Sequence, residues 1–142
     1  MKVDKLDEII EMINTLSDKF YKLKNNIFSP YGLSAIQASI ILDIYHNPNE
    51  TKITDICKRL NKSTNSISPL VNRLVEKDFL EKKHDEKDKR IFTVCLTEKS
   101  KKITNDIQID VTDYTLPLKE ELSDEQLDTI KKSLEILLKA VF

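Results

Sequence analysis

The fold is decided by residues 53–97, ITDICKRLNKSTNSISPLVNRLVEKDFLEKKHDEKDKRIFTVCLT. The first half of this stretch contains two short segments with apolar residues at offsets of three and four, the spacing of a buried helix face. Because only a brief polar turn separates them, the two helices must cross at a steep angle, which predicts a helix-turn-helix. The first apolar face is Ile53, Ile56, Cys57 and Leu60, and the second is Ile67, Leu70, Val71 and Leu74.

The second half of the stretch predicts a β-hairpin with a long, charged loop. Strand-like runs at 79–81 and 91–96 flank a loop at 84–91 in which acids and bases alternate. A short Asn-Gly or Asp-Gly turn would reverse the chain more simply, because those residues tolerate the positive φ of tight hairpins. The longer, cationic loop therefore indicates a role beyond chain reversal.

Capping residues and helix breakers predict where the helices begin and end. Ser34 with Gln37 and Ser123 with Gln126 form capping boxes for the second and last helices. The expected N-caps of the third, fourth and fifth helices are Thr51, Ser63 and Thr97. The expected breaks are Ser29-Pro30-Tyr31-Gly32 after the first helix, Asn47-Pro48 after the second, Asp78 after the fourth, and Pro117.

Composition favours one mainly α-helical unit with a small β-hairpin. The chain has 142 residues, 39% of them hydrophobic, and its one Gly and four Pro leave little room for many tight β turns. It shows no secretion-signal pattern and no apolar run near the roughly 20 residues that span a bilayer, so we expect a cytoplasmic protein without membrane attachment. Cys57 and Cys95 are then expected to be thiols rather than a disulfide.

Charge is distributed unevenly along the chain. The net charge is −1, but residues 52–102 contain fourteen cations and eight anions, a net of +6 that leaves −7 for the two ends. A cationic middle with anionic flanks is typical of a polyanion-binding face carried by a separate scaffold. A merely uneven, solvated surface is the alternative.

Both ends of the chain carry long apolar seams with the spacing of coiled coils. They hold more apolar surface than a small helix-turn-helix core can cover, so we expect them to pack against each other and against a second copy in a two-fold dimer. An intramolecular bundle is the alternative. The expected dimerisation residues are Leu6, Ile9, Ile13, Leu16, Leu127, Ile130, Leu134, Leu137 and Val141, and the fifth helix is expected to turn Ile103, Ile107, Val111 and Tyr114 inward.

The outward face of the fourth helix and the charged loop form the candidate DNA-binding surface. With its apolar residues inward, this helix turns small polar groups outward that can contact base edges in a major groove. The loop would project as a wing whose cations reach phosphates or the minor groove, and its carboxylates Asp85 and Asp88 would hold the guanidinium of Arg90 in one orientation. A solvated helix face and a solvated loop are the alternatives. The candidate residues are Ser63, Thr64, Asn65, Ser66, Ser68, Pro69, Asn72 and Arg73 in the helix, and Lys83, Asp85, Lys87, Asp88, Lys89 and Arg90 in the wing.

With these features together, residues 53–103 resemble the MarR-type winged helix-turn-helix regulators. The string ends like the family's wing signature, acid-x-x-Asp-x-Arg, followed by alternating apolar residues and Leu-Thr-Glu-Lys, and looser similarity covers most of the chain. The resemblance implies a dimeric transcription regulator of the repressor class on a pseudo-palindromic double-stranded DNA operator, with the fourth helix in the major groove and Arg90 in the minor groove. Asp78 and Ser100 stand where the family usually has glycine, and Pro69 lies inside the recognition helix, where it removes one backbone hydrogen bond.

The resemblance also implies a pocket for a small aromatic or lipophilic effector between the dimerisation helices and the DNA-binding lobe. The candidates to line it are Tyr21, Tyr31, Tyr45 and His46. We expect an N-terminal dimerisation helix at 1–30, a winged helix-turn-helix lobe at 31–100 and C-terminal dimerisation helices at 101–142.

Catalysis and metal binding lack support in the sequence. Without a Gly-rich phosphate loop or a nucleophile motif, we expect no enzymatic activity and no cofactor. His46 and His84 are isolated from other ligand residues, so we expect no metal. The main alternative to a DNA-binding regulator is a protein-interaction module that uses the same winged fold to bind an acidic protein partner.

Overall fold

The computed structural model describes residues 4–49 and 51–141, together with their side chains except those of 107–117. The helices are α1 (Lys5–Phe28), α2 (Ala35–His46), α3 (Ile53–Leu60), α4 (Thr64–Glu76), α5 (Glu98–Glu121) and α6 (Asp124–Val141), and a 3-10 turn follows α1 at Ser29–Tyr31. Strands β1 (Leu80–His84) and β2 (Phe92–Leu96) pair as an antiparallel hairpin. The prediction of a mainly α fold with a small hairpin wing is confirmed.

The chain divides into two compact units, Met1–Asp106 and Ile107–Phe142. The first unit contains α1 to α4, the hairpin and the start of α5. Among the described residues no single helix is long and apolar enough to cross a membrane. The segments Lys5–Tyr31 and Ala35–His46 have the required length and apolar composition only when taken together, and they are bent by 85° relative to each other.

The connection between α1 and α2 follows the sequence signals. Pro30 lies in the 3-10 turn, and Gly32 then adopts a left-handed conformation with φ 74°, which residues with a Cβ rarely take. The backbone N–H of Gln37 donates to Ser34 Oγ, and that of Ser34 donates to Gln37 Oε1, which confirms the capping box. Asn25 Oδ1 also accepts from the backbone N–H of Ala35, so the end of α1 is tied to the start of α2.

The core of the first unit is formed by the helix faces that were predicted from apolar residues spaced three and four positions apart. Ile36, Leu60 and Leu70 lie at its edge and are half-buried, as is Cys57, which we expected to be buried. The apolar side chains that are at most 3% exposed are Phe28, Leu33, Ala35, Ala38, Ile40, Ile41, Ile44, Ile56, Ile67, Val71, Leu74, Phe79, Leu80 and Val94.

The start of α3 differs from the prediction. The N-cap is Lys52, whose backbone N–H donates to Asp55 Oδ2 at 2.9 Å, so the prediction of Thr51 was wrong by one residue. Thr51 is instead buried and forms a single β-bridge with Val94, whose N–H donates to the Thr51 carbonyl oxygen at 2.8 Å. The Thr51 hydroxyl donates to the carbonyl oxygen of Asn47 and accepts from Arg59, so it is engaged there and does not cap α3.

Both ends of α4 agree with the prediction. Ser63 Oγ accepts from the backbone N–H of Ser66 at 3.3 Å, and Asp78, just past the helix, adopts φ 65°. Aspartate tolerates the left-handed region better than most residues, because its short polar side chain can hydrogen-bond locally. Pro69 lies inside α4, which nevertheless extends from Thr64 to Glu76.

The start of α5 is fixed by two buried hydroxyl groups. Thr97 Oγ1 accepts from the backbone N–H of Ser100, as expected of an N-cap. Ser100 is fully buried and its Oγ donates to the carbonyl oxygen of Phe79. The serine therefore contributes a hydrogen bond between α5 and the start of the hairpin, at a position where the family that the sequence resembles usually has glycine.

The second unit contains the end of α5 and all of α6. The expectation that Pro117 interrupts the chain was wrong, because α5 continues to Glu121. Proline removes one backbone hydrogen bond, but its fixed φ is itself helical. The capping box of Ser123 with Gln126 is confirmed, with hydrogen bonds of 2.9 and 3.1 Å. The inward positions expected at Ile107, Val111 and Tyr114 lie outside the described side chains.

Candidate nucleic-acid interface

The outward face of α4 is polar and exposed. Ile67, Val71 and Leu74 are fully buried. Because successive helical residues turn by about 100°, their burial forces the small polar positions between them outward. Of the recognition residues expected from the sequence, Ser63, Thr64, Asn65, Ser66, Pro69, Asn72 and Arg73 are exposed and Ser68 is half-buried.

The loop between β1 and β2 is organised by its own hydrogen bonds. The backbone N–H of Asp85 donates to the Ile91 carbonyl oxygen at 2.9 Å and closes the base of the loop. The backbone N–H of Lys87 donates to Asp85 Oδ1 at 2.8 Å. Nδ1 of His84 lies 3.0 Å from the Lys89 carbonyl oxygen, and because a carbonyl only accepts, this ring nitrogen must carry a proton.

Arg90 is oriented by Asp88. Its Nε donates to Asp88 Oδ1 and its Nη2 to Oδ2, both at 3.1 Å, and its backbone N–H donates to Oδ1 at 3.0 Å. The two side-chain hydrogen bonds form a fork between Asp88 and Arg90 that holds the guanidinium plane in one orientation. The side chain of Arg90 is 91% exposed, so the guanidinium remains open to solvent. The expectation that Asp85 also aims Arg90 needs correction, since its carboxylate instead forms a local turn with the Lys87 backbone.

The hydrogen bonds from Arg90 also set the ionisation of Asp88. The guanidinium, followed by the backbone N–H of Arg90, lowers the pKa of the Asp88 carboxyl group. Because the folded-state pKa is lowered, the paired form is complete above the ordinary aspartate pKa and is lost as the pH falls through the lowered value. At neutral pH the Asp88 carboxylate is therefore ionised and can accept the hydrogen bonds from Arg90.

The lysines of the hairpin fall into two groups. Lys83, Lys87 and Lys89 are exposed. Lys82 is half-buried, because it pairs with Val94 on the inward face of the hairpin. Its Nζ donates to Oδ1 of Asn72 on α4 at 2.8 Å, so the hairpin and the outward face of α4 are joined by a direct side-chain contact.

A second polar cluster ties the helix-turn-helix to the hairpin. Nε of Arg59 on α3 donates to Asp43 Oδ1 and Nη2 donates to Oδ2, both at 2.9 Å, and the side chain of Asp43 on α2 is 7% exposed. Asp43 raises the pKa of Arg59 through this hydrogen bond. Arg59 Nη2 also donates to Thr51 Oγ1 at 3.3 Å, and Thr51 Oγ1 donates to the carbonyl oxygen of Asn47 at 2.9 Å. The cluster fixes α2 and α3 against the residue that bridges to β2.

A groove of about 570 Å³ lies between α1, the first turns of α2 and the start of α4. Half-buried Lys24 in this groove donates to Ser39 Oγ at 3.0 Å. Its lining is Ser17, Phe20, Tyr21, Lys24, Ala35, Ile36, Ser39, Lys62, Ser66 and Ile67.

The four aromatic candidates for an effector pocket are not brought together. Tyr21 lines this groove, while Tyr31 is half-buried in the turn after α1. Tyr45 and His46 contact each other edge to face at the last turn of α2, about 15 Å along the helix axis from its first turn. Their separation leaves Tyr21 as the candidate that the structure associates with the groove.

Lys82, Asp43 and Arg59 were not among the candidates from the sequence. Strand alternation could have found Lys82, since it shares a face with buried Leu80 and therefore points toward α4. No local pattern pairs Asp43 with Arg59, which are 16 residues apart in different helices.

Comparison with known proteins is consistent with this arrangement. Residues 33–100 match the family described as the winged helix DNA-binding domain. The uncharacterized HTH-type transcriptional regulator YfiV of Bacillus subtilis is 31% identical over 104 residues, which cover 71% of this chain. The chain spans 63% of the length of this curated relative.

Solved structures share the fold over nearly the whole chain. A MarR protein from Peptoclostridium difficile superposes with a TM-score of 0.86 at 22% identity, covering 99% of this chain and 92% of that one. A mutant MarR from E. coli, solved in complex with operator DNA, superposes with a TM-score of 0.80 at 24% identity, covering 96% of this chain and 99% of that one.

The chain therefore contains a winged helix DNA-binding domain, at residues 33–100. Its fold is that of the MarR-type regulators, which confirms the resemblance found in residues 53–103.

The fork between Asp88 and Arg90 predicts a specific titration. In the wild-type chain the Asp88 carboxyl carbon, followed by NMR as the pH is lowered, should titrate below the ordinary aspartate pKa of about 3.9. Arg90→Ala removes the guanidinium, so the midpoint should rise toward that value. Lys89→Ala is the matched control, because it removes a neighbouring cation and leaves the fork intact. An unchanged midpoint in Arg90→Ala would show that the fork does not form in solution.

Proposed function

We propose that the chain is a cytoplasmic transcription regulator, a repressor, that binds a pseudo-palindromic DNA operator as a homodimer. The observation that carries the proposal is the wing, where Asp88 holds the exposed guanidinium of Arg90 in a fixed plane. The match to the winged helix DNA-binding domain supports it, as does the fold shared with a MarR protein solved on operator DNA.

In this proposal α4 enters the major groove. Its exposed Thr64, Asn65, Asn72 and Arg73 carry the hydroxyl, amide and guanidinium groups that pair with base edges or phosphates. The wing follows the adjacent minor groove, whose narrow and electronegative form attracts an arginine. Lys83, Lys87 and Lys89, which are exposed, would meet the flanking phosphates.

Loss of the guanidinium should weaken binding to DNA. We expect Arg90→Ala to reduce affinity for the promoter region next to the protein's own gene by about tenfold, because one desolvated charged contact is lost. Fluorescence anisotropy at several salt concentrations measures this, and the salt dependence should become shallower in the variant. Lys132→Ala, which removes an exposed cation from α6, is the control and should bind as the wild type does.

Two outcomes would contradict the DNA-binding proposal. One is weak binding that is blind to sequence and unaffected by Arg90→Ala, which would favour the acidic protein partner instead. The other is binding that tolerates the insertion of half a helical turn, about 5 bp, between the operator's half-sites, because a two-fold dimer needs a fixed spacing.

Dimerisation is supported by apolar surface that the single chain leaves uncovered. The dimerisation residues expected on α1 are exposed, from 37% for Ile13 to 53% for Leu6 and Leu16, and on α6 Leu134 is 50% exposed. Contiguous apolar patches of this kind mark interaction sites rather than ordinary surface. We assign residues 1–30 and 101–142 to dimerisation and 31–100 to the DNA-binding lobe.

A charge placed in the seam should separate the two copies. Leu16→Glu and Leu134→Glu each put a carboxylate into a surface that must become dry on association, so the dimer dissociation constant should rise at least about tenfold. Sedimentation equilibrium gives this constant directly. Lys132→Glu adds an acid to α6 outside the seam and should leave it unchanged. A wild-type chain that sediments as a monomer at micromolar concentration would refute the dimer.

The groove beside Tyr21 is the proposed effector site. The groove has apolar walls and two lysines, Lys24 and Lys62, which suit a small aromatic anion. The aliphatic parts of the lysine side chains can pack on the aromatic ring of the ligand, while their ammonium groups pair with its negative charge. Calorimetric titration with benzoate should detect binding that Lys24→Met weakens by about tenfold. Neutral benzamide should bind less tightly than benzoate. Equal binding of both ligands would remove the role assigned to the lysines.

A further inference from the structure

The hairpin holds the side chain of Asn72 directly. Nζ of Lys82 lies 2.8 Å from Asn72 Oδ1. An ammonium group can only donate, so the amide oxygen, and not the amide nitrogen, must face it. Nζ is also 4.5 Å from the centroid of the Phe92 ring, a cation–π contact that restrains the lysine itself.

This pairing decides which half of the amide remains available. A free asparagine presents a donor and an acceptor side by side, which together match the N7 acceptor and the N6 amino group of adenine. In this chain the acceptor is engaged by Lys82, and the nearby positive charge disfavours an incoming amino group. The available half of exposed Asn72 is therefore its amide nitrogen with two N–H donors.

Two donors on one nitrogen match two neighbouring acceptors. In the major groove guanine presents such a pair, O6 and N7, whereas thymine presents O4 beside a methyl group and cytosine presents a donor. We propose that Asn72 is a specificity-determining residue that reads guanine, and that Lys82 is the positioning residue that makes it do so. This inference rests on the proposed function, because it requires α4 to lie in the major groove.

Selection of bound duplexes from a randomised DNA library, followed by sequencing, tests the inference and requires no operator sequence at the outset. Lys82→Met removes the ammonium group and keeps an unbranched apolar stem against the Phe92 ring. Asn72→Ala removes the reading group. Lys83→Met is the matched control, because it removes one cation from the outer face of the same strand.

The wild-type chain should enrich guanine at one position in each half-site, and Asn72→Ala should lose the preference at that position. In Lys82→Met the amide is free to turn and can pair with adenine, so the ratio of guanine to adenine there should fall by about tenfold. Lys83→Met should lower affinity for all sequences alike and leave the ratio unchanged.

A Lys82→Met profile identical to that of the wild type would overturn the inference and leave the proposed function standing. A wild-type preference for adenine at the position that depends on Asn72 would do the same. Failure of the wild-type chain to enrich any motif would instead overturn the proposed function, and the inference with it. Asn72→Asp leaves the hairpin unaltered and replaces the donors with a carboxylate, so guanine preference that survives this change also overturns the inference.

Discussion

Burial of one face of α4 is the constraint on which the rest of the structure depends. Ile67, Val71 and Leu74 are completely covered, and each such aliphatic side chain stabilises the fold by roughly 1.5–3 kcal/mol relative to exposure. Rotating the helix by one position, about 100° in either direction, would replace two of these three side chains by polar ones. The core therefore fixes the rotation of α4, and this rotation alone determines that Asn65, Asn72 and their neighbours face outward.

The hairpin needs the rest of the unit for its position. A two-stranded hairpin is at best marginally stable by itself, so its orientation must come from attachments. Leu80 and Val94 are buried in the core, Thr51 bridges to Val94, and Lys82 bonds to Asn72. The contact of Arg59 with Asp43 and Thr51 extends this support to α2 and α3. The hairpin and α4 are thus held in one arrangement by contacts outside the 84–91 loop.

Local chemistry made most of the fold predictable from the sequence. Ser34 and Ser63 cap helices because their hydroxyl groups accept from nearby backbone N–H groups, and Asp78 takes the left-handed turn for a similarly local reason. Thr51 could not be assigned correctly, because its hydrogen bond to Val94 joins residues distant in the chain. The orientation of Arg90 by Asp88 was predictable, because the two residues are only two positions apart in the chain. The hydrogen bond from Lys82 to Asn72 was not predictable from the sequence, because it depends on how the hairpin packs against α4.

Acids in the wing reduce its positive charge, and the proposed function gives this a physical purpose. Non-specific attraction to DNA grows with the number of cations that displace counterions, so an all-cationic loop would bind any duplex. Asp88 instead lowers the net positive charge of the loop and fixes the orientation of the Arg90 guanidinium. An arginine side chain carries about 2 kcal/mol of rotamer entropy. Part of this entropy is already lost in the fork of the unbound protein, so less is lost when the protein binds DNA. The net charge of −1 for the whole chain limits long-range attraction to DNA, although residues 52–102 carry a net of +6. In the proposed function, sequence selectivity therefore comes from short-range groups held in the right geometry, such as the paired Asp88 and Arg90.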